Sequence, residues 1–199
     1  MANINNIIPT LNFELIRDRI AEILTVELAR QFVLTGDEIY NATVWLERFV
    51  AFDKADMPLL NVYFVNSNHE NFTVQSGNTS LSLNIDGYVS GKHVNGIDGD
   101  KNASINLQKL LGAVSYILQH PYYYKLDFAS GIIRNRQISD MIIAQPKEKD
   151  ARHIANGRLV FKVETCEDYG ALEAIDAGGY DTQVKLNETE KGFYYKTNN

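Results

Sequence analysis

A chain of 199 residues can bury one sizeable core, and 45% apolar with 22% charged residues is the balance of a globular protein. A net charge of −6 and a pI near 5.2 argue against a protein whose main work is gripping nucleic-acid phosphates, which needs a concentrated basic face. Cys166 is the only cysteine, which excludes an intrachain disulfide and a thiol clamp for zinc. The N-terminal stretch lacks a basic region ahead of a long apolar run, and no window approaches the ~18 apolar residues of a membrane span. These features predict a chain folded in a cytoplasm.

Residues 1–9 are polar and end at Pro9, which reads as an arm. Thr10 or Asn12 is placed to cap a helix in which Phe13, Ile16, Ile20, Ile23, Leu24 and Leu28 recur at helical spacing. Glu14, Arg17, Asp18 and Glu22 fall on its other side, and Gly36 suits the left-handed position that ends it. Residues 41–52 predict a strand with Trp45 and Phe49 on one side and Val44, Leu46 and Val50 on the other. After Met57-Pro58, residues 59–65 form a nearly unbroken apolar run, as expected of a strand buried on both faces. Residues 66–78 read as a polar loop. Leu81, Leu83, Ile85, Gly87 and Val89 then alternate with Ser82, Asn84, Asp86 and Tyr88, the pattern of a strand with one wet face. This strand can pair with 59–65 as a long-looped hairpin.

A glycine- and aspartate-containing loop over 91–100 precedes a second helix, 101–120, with an apolar stripe of Leu107, Leu110, Leu111, Val114 and Leu118. Asp98 and Asp100 lie at its positive end and Pro121 stops it. Tyr122, Tyr123, Tyr124 and Phe128 lead to a strand over 137–144. Another covers 157–165, where Leu159, Phe161 and Val163 alternate with Val160, Lys162 and Glu164. Beyond Cys166 the chain turns acidic, and 182–186 with 192–196 read as a short hairpin, marginal by itself. The expected fold is α+β, a mostly antiparallel sheet flanked by two amphipathic helices over residues 1–166, with a C-terminal extension over 167–199.

The search for chemistry returns little. His69, His93, His120 and His153 are scattered over loops and element ends, with no metal-ligand spacing, and nothing supports activation of Cys166. Asp98-x-Asp100-x-Asn102 resembles the start of a calcium loop, yet Ala103 stands where that loop needs glycine and Lys109 where it needs glutamate. Phosphate-cradling glycine loops and the G-x-S-x-G elbow are absent. No catalytic residue, metal or cofactor is expected. Arg134 and Arg136, two apart at a strand start, would share one face, as a solvated sheet edge or as a contact for an acidic partner. Tyr122–Tyr124 suits an interface and a core cap equally.

The segments NFELIRDRIAEIL (12–24), DMPLLNVYFVN (56–66), LSLNIDGYVSG (81–91), DGDKNASINLQKLLGAVSYILQHP (98–121) and VFKVET (160–165) carry a family likeness. In order and character they resemble tail-terminator, or tail-completion, proteins of tailed bacteriophages and related contractile particles. The resemblance covers 12–165 and not the tail beyond. It implies a non-enzymatic virion protein, made in the host cytoplasm and resident in the tail or neck. Such proteins form a ring, typically of six subunits, on the head-proximal end of the tail tube, where they stop tube growth and dock the head connector. The implied partners are copies of the chain itself, the tail tube protein and the head-tail connector protein, with DNA passing through the channel without specific binding and no membrane. A ring needs a heterologous interface built from two different patches. Assembly contacts are expected in the 91–100 loop with Asp98 and Asp100, over 128–136 with Phe128, Arg134 and Arg136, and in the extension with Phe193, Tyr194 and Tyr195. A neck or head-completion adaptor or a baseplate protein is the alternative of the same class. A small enzyme or a ligand-binding module without a recognisable motif is the alternative of another.

Overall fold

The structure, a computed structural model, describes residues 10–49, 53, 56–70, 76–93, 96, 98–144, 153–168, 182–184 and 193–195. Helix α1 runs Asn12–Thr35 and buries Ile16, Ile20, Ile23, Leu24 and Leu28, the stripe that its spacing predicts. Its C-cap is Gly36 at φ 67°, whose N–H donates to the Phe32 carbonyl at 2.8 Å. The N-cap differs from expectation. Leu11 occupies it without a side-chain bond, because the Asn12 amide is drawn across to the sheet, donating to Thr165 Oγ1 at 3.0 Å and the Cys166 carbonyl at 2.9 Å.

Strands β1 (Thr43–Leu46), β2 (Leu59–Glu70), β3 (Ser76–Ser90), β4 (Ile133–Ala144) and β5 (Ile154–Asp168) form one sheet in the order β1-β2-β3-β5-β4. β1 is parallel to β2, and the other neighbours are antiparallel. Helix α2, Gly99–Gln119, stands between β3 and β4 in the chain and buries Leu107, Leu110, Leu111, Val114 and Leu118. The fold is therefore α+β, a mostly antiparallel sheet flanked by two helices. The expected hairpin is present as β2 against β3, with Leu59 opposite Tyr88 and Val62 opposite Ile85.

Both helices join one core with Leu60, Val62, Leu81, Leu83, Ile85, Leu159, Phe161 and Val163, residues that alternate along their strands and share one face. Gly87 and Gly157 are register partners on that face. A Cβ on Gly157 would lie 2.9 Å from Leu111 Cδ1 and from the Ile142 carbonyl, so the absence of a side chain lets α2 settle onto the sheet.

Several local readings are corrected. β1 spans four residues rather than the expected 41–52, because Glu47 at φ 49° turns the chain out of the ladder; residues 50–52 lie outside the described set. Only Leu59–Val62 is buried throughout on β2, and its distal half is largely exposed. The supposed loop over 66–78 is strand on both flanks, since β2 continues to Glu70 and β3 begins at Ser76. β4 begins at Ile133 rather than 137.

The chain divides into two compact units, Met1–Asp168 and Tyr169–Asn199. In the second, β6 (Thr182–Val184) pairs antiparallel with β7 (Phe193–Tyr195), within the expected hairpin spans. Among the described residues no helix is long and apolar enough to cross a membrane.

Candidate functional site

The residues that alternate with the core positions point away from both helices, and they are mostly polar, with Leu59 and Val160 among them. Successive ladders on this face carry Asn61, Asp86 and Arg158, then Tyr63 and Asn84, then Asn66, Ser82 and Lys162, then Asn68, Ser80 and Glu164. Asn84 and Asp86 lie on the face expected to be wet, yet both are buried.

A closed network explains that burial. Arg158 donates from Nε to Asp86 Oδ1 at 2.6 Å and from Nη2 to Oδ2 at 2.9 Å, a bidentate pair. The Tyr63 hydroxyl donates to Asp86 Oδ2 at 3.1 Å and accepts from Asn84 Nδ2 at 3.1 Å. The Arg158 guanidinium lies 5.7 Å from the Tyr63 ring centre, and Phe49 meets that ring edge-on. Asn61 closes the neighbouring turn, donating to the Arg48 carbonyl at 3.0 Å and accepting its N–H at 3.1 Å. The hydrogen bond to Asp86 holds the Arg158 guanidinium above its ordinary range. Burial pushes the Tyr63 and Tyr88 phenols up as well, with the Asp86 charge adding to both. Both phenols therefore stay neutral near pH 7, so that Tyr63 donates its proton to Asp86 within a connected hydrogen-bond network.

Further along β2, Ser67 Oγ lies 2.9 Å from His69 Nε2, and His69 Nδ1 lies 3.1 Å from Thr79 Oγ1. His69 is the penultimate residue of β2, one of the element ends expected for the histidines. Among the described residues no group of three or more His, Cys, Asp or Glu is arranged to hold a metal ion.

The residues singled out in the sequence do not converge. Asp98 is the N-cap of α2 and its carboxylate makes no capping bond; His93 Nδ1 lies 3.6 Å away. Asp100 Oδ1 accepts from the His153 backbone at 3.1 Å and lies 2.8 Å from the ring Nδ1, which fastens the loop before β5 to the start of α2. Arg134 and Arg136 belong to the other end of α2, about 30 Å away along a helix of 21 residues. They do not share a face, because a register shift between Ile133 and Asn135 breaks the alternation. Arg136 donates to the His120 carbonyl at 2.8 Å and the Tyr124 carbonyl at 3.0 Å, satisfying the chain where α2 ends, and burial lowers its pKa. Arg134 lines a shallow cleft with Glu70, Ser80 and Glu164 on the polar face. Phe128 packs half-buried against the core. Phe193, Tyr194 and Tyr195 form β7, and their side chains lie outside the described set.

The tyrosine triplet divides. Tyr123 donates to Glu27 Oε1 at 2.6 Å, joining the turn to α1, while Tyr122 and Tyr124 are exposed. Burial, with Glu27 adding to it, pushes the Tyr123 phenol up to about 12. Tyr122 and Tyr123 line one end of a groove of about 700 Å³ between the helices, with Tyr40, Tyr116 and Ile117 along it.

Sequence periodicity marks the polar face but not its network, since the Asp86–Arg158 pair spans 72 residues. No family model matches the chain, and no curated protein matches it.

Proposed function

We propose that this protein is a virion structural subunit that forms a ring at the head-proximal end of a phage tail tube, ends tube growth and docks the head connector. The observation that carries the reading is the polar face of the sheet. Among the described residues no helix covers it, and its Asn, Ser, Lys and Glu ladders mix charges of both signs. Such a face lines a channel without the counterion-releasing phosphate contacts that would trap DNA, in keeping with the net charge of −6. The five segments that resemble tail terminators fall on α1, β2, β3, α2 and β5, of which the three strands build this face and the two helices cover the opposite one.

Negative-stain electron microscopy of particles from the gene-deleted virus tests the proposal. Overlong tubes are the expected outcome. Tails of normal length detached from filled heads would reassign the subunit to a neck adaptor, and normal infectious particles would overturn the structural reading. A companion truncation tests the C-terminal extension as an assembly clasp. β5 runs to Asp168, so the cut belongs after that residue. The shortened chain is expected to fold and to complete tails poorly.

A further inference from the structure

Four residue ladders cross the sheet unbroken from edge to edge. Thr43 is aligned through Leu59, Tyr88 and Asn156 with Ala144, and the next three ladders join Val44 to Ile143, Trp45 to Ile142 and Leu46 to Met141. The whole of β1 is therefore level with the last four residues of β4 at the opposite edge. The register shifts of β4 fall at Ile133/Asn135 and Ile138/Asp140, so its final stretch is regular.

Both edges are bare in the same way. Trp45, Leu46, Met141, Ile142 and Ile143 are each between 38% and 53% exposed. Successive strand residues point to opposite faces, so exposure at consecutive positions leaves apolar surface open on both faces of each edge, although Val44 packs half-buried against the core and Arg48 lies over the Trp45 ring. Neither stretch carries a charge or a proline, the residues with which sheet edges are ordinarily blunted. Among the described residues no strand lies beyond β1 or β4. β1 runs parallel to β2, and the directions alternate through β3, β5 and β4, so β1 and β4 run opposite ways. Side by side in two copies they are antiparallel, the more stable ladder.

The geometry points to strand addition between copies of this chain, with the last four residues of β4 in one copy pairing with Thr43–Leu46 of the next, so that the sheet continues from subunit to subunit. Equal length, apolar exposure on both faces, lack of charge and opposite direction make each edge the complement of the other. Two different edges are used, so the contact is heterologous, of the kind that gives a ring where the rotation between copies closes and an open filament where it does not. The inference deepens the ring reading and rests on it for closure alone.

Sedimentation of the full chain tests it, in a series up to about 1 mM protein. The wild type is expected to assemble. Met141→Lys/Ile142→Lys and Trp45→Lys/Leu46→Lys, each placing a charge on both faces of one edge, are expected to stay monomeric with unchanged circular dichroism. Their equimolar mixture is expected to give a 1:1 dimer and nothing larger, because each copy keeps one working edge. A monomeric wild type, or a monomeric mixture beside an assembling wild type, overturns the inference. So does a β1 variant that dimerises by itself, which would indicate twofold pairing of β4 with β4. Should a variant lose its fold, the Cys166→Ser chain with Trp45→Cys and Ile142→Cys replaces it; oxidation is expected to give a ladder of linked copies, and its absence is equally fatal. A mixed dimer beside normal tails from the gene-deleted virus would leave this interface standing without the tail function. Overlong tails without a mixed dimer would do the reverse.

Discussion

The two faces of the five-stranded sheet come from the same strands one residue out of step, and they are stabilised differently. Leu83, Ile85, Leu159 and Phe161 bury apolar surface under α1 and α2, where contact with any well-shaped apolar neighbour is favourable. On the other face Asn84 and Asp86 are buried as polar groups, tolerable only because each finds a partner of fixed geometry in Tyr63 and Arg158. The apolar face accepts many sequences of the right volume. The polar face depends on four particular side chains, and that leaves a hard, hydrophilic plate with its outer ladders open to contact.

Substitutions can break this contrast in graded steps. Phe161→Ala, at the centre of the covered face, is expected to lose about 3–5 kcal/mol in urea denaturation. Asp86→Ala strands the Tyr63 hydroxyl and the Arg158 guanidinium and is expected to lose about 2–3 kcal/mol. Arg158→Ala leaves the buried Asp86 carboxylate with only the Tyr63 hydroxyl as partner and is expected to lose at least as much, about 2–3 kcal/mol, and the double variant should cost less than the sum of the two. Gly157→Ala, which forces a methyl group against Leu111, is expected to lose about 1–3 kcal/mol.

Tyr123→Phe removes the bond to Glu27 and is expected to lose about 1 kcal/mol at neutral pH. Its pH dependence sharpens the test. The folded phenol titrates near 12 against 10.0 in the unfolded chain, so the folded state holds its proton more tightly. That stabilisation is full below pH 10.0 and is lost as pH rises toward about 12, so wild type and variant converge in alkaline melts. The smallest effect belongs to the outer ladders. Ser82→Ala and Lys162→Ala are expected to change stability by less than about 0.5 kcal/mol, so any loss of assembly in these variants reports on contact with the open face.

Much of the architecture is legible in periodicity. The stripes of α1 and α2 and the alternation of β3 and β5 appear in the chain because helix and strand repeat at different intervals, and burial selects apolar side chains at those intervals. Glu47 shows where such reading stops. Its carboxylate accepts the Phe64 N–H at 2.9 Å and the Arg17 guanidinium at 3.2 Å, holding a turn that cuts β1 short in a run of strand-forming residues. Arg134 and Arg136 show the same limit, since two residues of spacing imply one face until a bulge intervenes. Alternation at Asn84 and Asp86 marks polarity and cannot tell solvent from a partner 72 residues away on another strand.

By itself the sequence determined that two helices and a mostly antiparallel sheet would form, which side of both helices would face the core, and that no familiar catalytic motif accompanies them. Those are local properties, set by side-chain chemistry at short spacing. Only the tertiary structure decided that Asp86 would be buried against Arg158, that both helices would cover one face, and that β1 would stand level with the end of β4. Each depends on how distant strands come into register, and register is set by the packing of the whole sheet.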